Sequence, residues 1–194
     1  GSPSPFSMVQ GIDHNVQGLI FIGYHARVGT QSAILEHTWS SESIANLWIN
    51  GDPFGEIGLN AAVAGHFNVP LIMISGDQAA CSEAQNLVNG LEAVVVKYAS
   101  SRMAAECLSP QEAQHDIEAG AQQAVSSLLR NAAPQPLRIP PPMTMVVEMV
   151  RSEMADRASL LPGIKREGRR VVYSAGNMPS IYTAFRAIAS LARG

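Results

Sequence analysis

The stretch Val69 to Ser75, VPLIMIS, is apolar almost throughout and of strand length, with Asn68 before it and Gly76-Asp77 after it. A half-buried strand alternates apolar and polar side chains, so an unbroken run reads as a strand covered on both faces. Such a strand needs helices on either side, and the flanking sequence supplies them. Gly18 to Tyr24, with Leu19-Ile20-Phe21-Ile22, is a second run of this kind. Ile44 to Ile49 and Ala93 to Lys97 are two further strands. Helical patterns run from Gly55 to Phe67, from an Asp77 cap to Val88, and from Ser109 to Arg130. Ser109, Pro110 and Glu112 have the chemistry of a capping box with proline in the first turn. This alternation of strands and helices predicts an α/β protein with a mostly parallel sheet flanked by helices.

Residues 131–142, NAAPQPLRIPPP, hold five prolines, which continue neither a helix nor a central strand. They mark a boundary between an α/β domain over 1–135 and a small C-terminal domain over 136–194. The latter reads as strand, helix, strand, helix: Met143 to Val150, Arg151 to Leu160, Arg170 to Ser174 and Pro179 to Ala192. At the other end, Ser4-Pro5 predicts a short helix start.

Composition excludes several classes. No apolar run approaches the roughly 20 residues of a membrane helix, and Gly1-Ser2-Pro3-Ser4-Pro5 lacks the basic and apolar regions of a leader. Two cysteines, Cys81 and Cys107, in helical or helix-flanking sequence, make no disulfide framework and point to the cytoplasm. Residues 151–194 carry eight Lys or Arg against three acids, whereas 1–150 carry five against thirteen. No nucleic-acid motif accompanies the basic segment, so it is read as facing acidic surface, and neither nucleic acid nor membrane is an expected partner.

The chemistry concentrates between Gly18 and Asn60. His25 stands just past a buried strand, where open α/β sheets collect ligands and where an imidazole can bind a metal or simply close the strand. Glu56, between Gly55 and Ile57-Gly58, opens a helix; it suits a metal, though acids favour that position anyway. His37 follows Glu36 at the end of a loop and reads as a general acid-base, an oxyanion partner or a solvated side chain. His14, His66 and His115 have blander surroundings. Ser75-Gly76-Asp77 reads as a capping device rather than a phosphate loop. No HExxH, CxxC, P-loop, GxGxxG after a strand or GxSxG occurs.

With these residues in view, the chain resembles the DppA-type zinc D-aminopeptidases. The blocks that carry the resemblance are Pro5-Phe6-Ser7-Met8-Val9, Phe21-Ile22-Gly23-Tyr24-His25-Ala26-Arg27, Glu36-His37-Thr38 and Gly55-Glu56-Ile57-Gly58-Leu59-Asn60-Ala61. Val69-Pro70 leading to Gly76-Asp77, Ser101-Arg102 and Cys107-Leu108-Ser109-Pro110 extend it. The resemblance implies a metallo-aminopeptidase with two zinc ions in one bridged site, acting on the N-terminal residue of short peptides, D-residues included. It implies His25 and Glu56 as zinc ligands, His37 as the catalytic histidine, and a homo-oligomer in the form of a decamer. It also implies an aspartate, a glutamate and a histidine from an N-terminal segment that this sequence does not contain. A companion N-terminal chain or segment is therefore expected as a partner, with this chain the C-terminal part or a cleavage product. The alternative is a metal-free structural or regulatory α/β subunit.

Overall fold

The computed structural model describes residues 4–193; Gly1 to Pro3, on which part of the leader reading rests, lie outside them. After a 3-10 turn over Ser7–Val9 come β1 (Leu19–Tyr24), β2 (Ile44–Ile49), β3 (Asp52–Pro53) and α1 (Glu56–His66). Then follow β4 (Leu71–Asp77), α2 (Gln78–Leu87), β5 (Glu92–Ser101), β6 (Ala104–Cys107) and α3 (Pro110–Leu129). The last elements are β7 (Met143–Met149), α4 (Ser152–Ala158), β8 (Lys165–Glu167), β9 (Arg170–Ala175) and α5 (Met178–Arg193). The 3-10 turn replaces the helix start expected at Ser4-Pro5, because Ser7 takes a positive φ of 45° and the chain turns there.

The strands form two sheets. One has the order β1-β4-β5-β6, with β1, β4 and β5 parallel and β6 antiparallel at the edge. All seven residues of β4 are buried, as the unbroken run in the sequence requires. The second such run, β1, lies at the sheet edge with Phe21 alone buried and Ile22 exposed, so it is not covered on both faces. The α/β class and the parallel sheet between helices are thus present. The second sheet, β3-β2-β7-β9-β8, is wholly antiparallel. In it β7 buries every other residue, the signature of a sheet covered on one face.

The second sheet draws β2 and β3 from one side of the proline-rich stretch and β7 to β9 from the other, so the expected boundary at residue 135 falls between strands of one sheet. Residues 25–43 carry the chain from one sheet to the other. Between β2 and β3, Asn50 and Gly51, both at positive φ, make the turn that folds β3 back on β2. Two short strands, β6 and β8, are absent from the pattern of the sequence. Ala104-Ala105-Glu106-Cys107 is fully exposed and owes its conformation to pairing with β5, so Cys107 stands at the end of an edge strand, shortly before the Ser109 cap of α3.

Helix α1 joins the two sheets. Residues Ile57 to Gly65 are all buried, and its two sides serve different cores. Leu59, Ala62 and Val63 pack with the antiparallel sheet, α4 and α5; Ile57 and Ala61 pack with β1, β4 and α2. A helix covered all round needs small residues for close approach. At Gly65 a Cβ would lie 1.9 Å from the Leu137 carbonyl oxygen. Helix α3 covers the far face of the parallel sheet through Ala124 against Ile72, Met73 and Val94. The basic C-terminal residues find partners within the molecule: Arg166 with Asp156 at 2.7 Å, and Arg169 and Arg170 with Glu148 at 3.5 and 3.7 Å. Among the described residues no helix is long and apolar enough to cross a membrane.

Candidate metal centre

His25 is the first residue after the carboxyl end of β1, and Glu56 is the first residue of α1. His37 comes from the loop between β1 and β2. The structure brings all three together: one ligand atom from each lies within 4.8 Å of the other two. His14, His66 and His115 take no part in this cluster.

The ring orientations are fixed from behind. His25 Nδ1 is 3.0 Å from the Ala26 carbonyl, and His37 Nδ1 is 2.8 Å from the Leu35 carbonyl. A carbonyl oxygen only accepts, so each Nδ1 carries the proton and donates it. In neutral rings both Nε2 atoms then present lone pairs, and both face Glu56 Oε1, at 3.4 and 3.8 Å. The rings stack at 3.9 Å between centroids, 16° from parallel. Glu56 Oε1 already accepts the Trp39 amide hydrogen at 2.8 Å.

Three acceptors converging with no donor among them is an unfavourable arrangement. The facing lone pairs repel one another, and that repulsion is an electrostatic cost. A cation in their midst, a proton or a metal ion, removes that cost. Histidines that hold a metal typically donate their other ring N–H to a carbonyl or carboxylate, which is the arrangement here. The donor set, two imidazoles and one carboxylate, suits zinc. Side-chain exposures of 26% for His25, 32% for His37 and 11% for Glu56 leave the centre reachable from one side.

The electrostatics agree with the geometry. Burial works against ionising Glu56, but His25, the Trp39 amide and the two imidazoles outweigh it and hold the carboxyl below its ordinary range. Burial also works against charging His25. The Glu56 carboxylate, the Ala26 carbonyl and the charge on Glu83 reverse this, so its pKa lies above that of a free imidazole.

Supports run outward from the three side chains. One turn beyond Glu56, the fully buried Asn60 accepts the Tyr182 hydroxyl at 2.9 Å and donates to the Tyr24 oxygen at 3.1 Å. These bonds tie α1 to β1 and α5 and fix its rotation, hence the direction of Glu56. Burial, partly offset by Asn60, pushes the Tyr24 hydroxyl up to about 12, so it stays protonated at neutral pH. Asp77 caps α2 through the Ala80 amide at 2.7 Å, as its sequence position suggests, and its second oxygen accepts the Ile34 amide at 2.7 Å. Glu83 accepts the Arg27 amide at 2.7 Å. At Gly55, next to Glu56, a Cβ would lie 2.6 Å from Arg27 Cβ and 2.9 Å from Glu83 Oε1, so only glycine allows this approach. In the sequence Asp77 has the mark of a cap alone, and nothing local marks Trp39, Glu83 or Tyr182 as part of the site. Their contacts cross long separations and leave no local pattern. A cleft of about 450 Å³ bordered by Arg27, Gln78 and Glu83 lies nearby, but none of the three centre residues lines it.

Two imidazoles and a helix-borne carboxylate at the carboxyl end of a parallel sheet could hold a metal ion, and comparison with known proteins gives the family. The chain belongs to the D-aminopeptidase family of peptidases (Peptidase M55), whose model matches residues 1–187. A curated D-aminopeptidase of Bacillus subtilis (strain 168) is 34% identical over 194 residues, covering 99% of this chain and 69% of the relative. A solved structure, described as the Zn-dependent D-aminopeptidase DppA from Bacillus subtilis, a self-compartmentalizing protease, superposes with a TM-score of 0.89 at 33% identity. That match covers 100% of this chain and 69% of the other.

Proposed function

We propose that this chain is a zinc-dependent aminopeptidase, or the part of one described here, which hydrolyses the N-terminal residue of short peptides, including D-residues. One observation carries the reading: two imidazole Nε2 lone pairs converge on one carboxylate oxygen, each ring held by a backbone carbonyl behind it. The naming of the relatives agrees with it.

In this reading His25 and Glu56 hold the metal. When bound, zinc supplies Lewis acidity toward the scissile carbonyl and makes a water more acidic. The remaining work falls to the chain. Ala26 keeps the His25 proton on Nδ1, so that Nε2 remains a ligand atom. The Trp39 amide orients Glu56. His37 presents Nε2 to the reacting oxygen, where it accepts or returns a proton or steadies the developing negative charge. A second ion needs donors beyond these three. We assign them to a companion N-terminal segment or chain, and assembly to a homo-oligomer, in keeping with the self-compartmentalizing relative. Free Cys81 and Cys107 suit a cytoplasmic location.

A second reading has one observation in its favour. His37 lies close enough to the others to be a third protein ligand, and three ligands plus water is the common catalytic zinc set. His37→Ala separates the two. If His37 acts on the reacting oxygen, turnover falls about 10²–10⁴-fold with zinc retained. Loss of zinc along with turnover makes it a ligand. Unchanged turnover removes both roles, whereas a wild type with neither turnover nor zinc favours a metal-free structural subunit.

A further inference from the structure

We infer that Arg102, at the turn between β5 and β6, is the positioning residue for His37; the inference rests on the functional reading of His37 given above. The Leu35 amide donates to the Arg102 carbonyl at 2.8 Å. The Arg102 guanidinium donates from Nε to Glu36 Oε2 at 2.9 Å and from Nη2 to the Glu36 carbonyl at 3.0 Å. Leu35, held in this way, offers the carbonyl that accepts His37 Nδ1–H at 2.8 Å. Arg102 therefore grips both residues before His37 and fixes the group that sets the proton position on its ring.

The grip is needed because the loop does not hold itself. Leu35 and Trp39, on either side of His37, have φ of 51° and 64°. Such backbone is sparsely populated for bulky residues and persists only where surroundings impose it. The main-chain tie of His37 itself, to the Ala26 carbonyl, is long at 3.4 Å. An exposed ion pair alone would contribute about 0–1 kcal/mol. This guanidinium instead spans a carboxylate and a carbonyl in a fixed fork, which gives orientation more than stability. Its own position is set by the hairpin, where Lys97 pairs with Cys107 and Ser101 with Ala104, in a sheet continuous with β4 and β1. The hairpin thus connects the sheet that carries His25 to the loop that carries His37.

The test is nitrogen-15 NMR of the imidazole rings in the zinc-loaded protein, run with steady-state kinetics and zinc analysis. Wild type should show His37 as the single Nδ1–H tautomer. Arg102→Ala should give a mixed or exchange-broadened His37 signal and leave that of His25 unchanged. It should lower kcat about 10- to 100-fold, the range seen when a supporting group is lost, with KM and zinc content near wild type. Arg102→Lys, with one charge and no fork, should fall between. Arg102→Ala removes both guanidinium bonds and keeps the main-chain tie to Leu35. If it does not fold, Glu36→Gln, which neutralises the carboxylate and leaves the guanidinium bond to the Glu36 carbonyl, should shift the same signal in the same direction by less. A wild-type His37 spectrum in a folded Arg102→Ala, or in Glu36→Gln where Arg102→Ala does not fold, overturns the inference. A disturbed His37 tautomer in a protein whose His37→Ala variant remains fully active upholds the inference and removes the catalytic reading instead.

Discussion

The two halves of the candidate centre are built differently. His25 and Glu56 stand at the ends of regular elements, the edge strand β1 anchored through buried Phe21 and the buried helix α1, positioned by the packing that holds the fold together. His37 stands on the loop 25–43, which contains three bulky or polar residues at positive φ and is pinned by Asp77, Arg102 and Glu56 from elsewhere in the chain. The first half takes its accuracy from the core. The second takes it from single hydrogen bonds, so it can be moved without unfolding the protein.

This contrast can be broken most severely at Glu56. Glu56→Gln keeps the shape and removes the charge on which both imidazoles converge. Turnover of a D-aminoacyl anilide should fall below detection, beyond the roughly 10- to 100-fold typical for loss of a supporting group. Residual activity near wild type would mean that the carboxylate is structural. Gly55→Ala strikes where the halves meet, since its methyl group would collide with Arg27 Cβ and Glu83 Oε1. A loss of about 1–3 kcal/mol is expected, as for other overpacked sites, together with weaker zinc binding. An urea melt and a zinc titration on the same sample check both. Asn60→Ala tests the regular half alone. It leaves the Tyr182 and Tyr24 hydroxyls without their shared partner, at about 1–3 kcal/mol, and should reduce zinc affinity through the freed rotation of α1. The smallest effect belongs to a remote control. Ser109→Ala removes the cap of α3 and should cost about 1 kcal/mol in stability with turnover unchanged.

The same contrast explains what the sequence disclosed. The buried strand at Val69 to Ser75, the capping box at Ser109 and the positions of His25 and Glu56 rest on local patterns, and the fold repeats them. The resemblance to zinc D-aminopeptidases drew on those local blocks too. The second sheet was less accessible. Met143 to Met149 alternates apolar and polar or half-buried residues, a sign of one-sided burial, but its partner β2 lies far back in the chain and no local signal joins them. Edge strands β6 and β8 have no apolar run and exist through pairing. Around His37, sequence gave the residue and the loop. The supports at Leu35, Trp39 and Arg102 depend on contacts across up to 67 positions, which spacing cannot show.

The account stands on His25 and Glu56 sharing a cation. The most direct check is a competition titration of zinc into metal-stripped protein, wild type beside His25→Ala and Glu56→Ala. Wild type should take up zinc tightly with at least one ion per chain, and each variant should lose most of that affinity while keeping its fold. Zinc binding in either variant equal to wild type, or none in wild type, would contradict it.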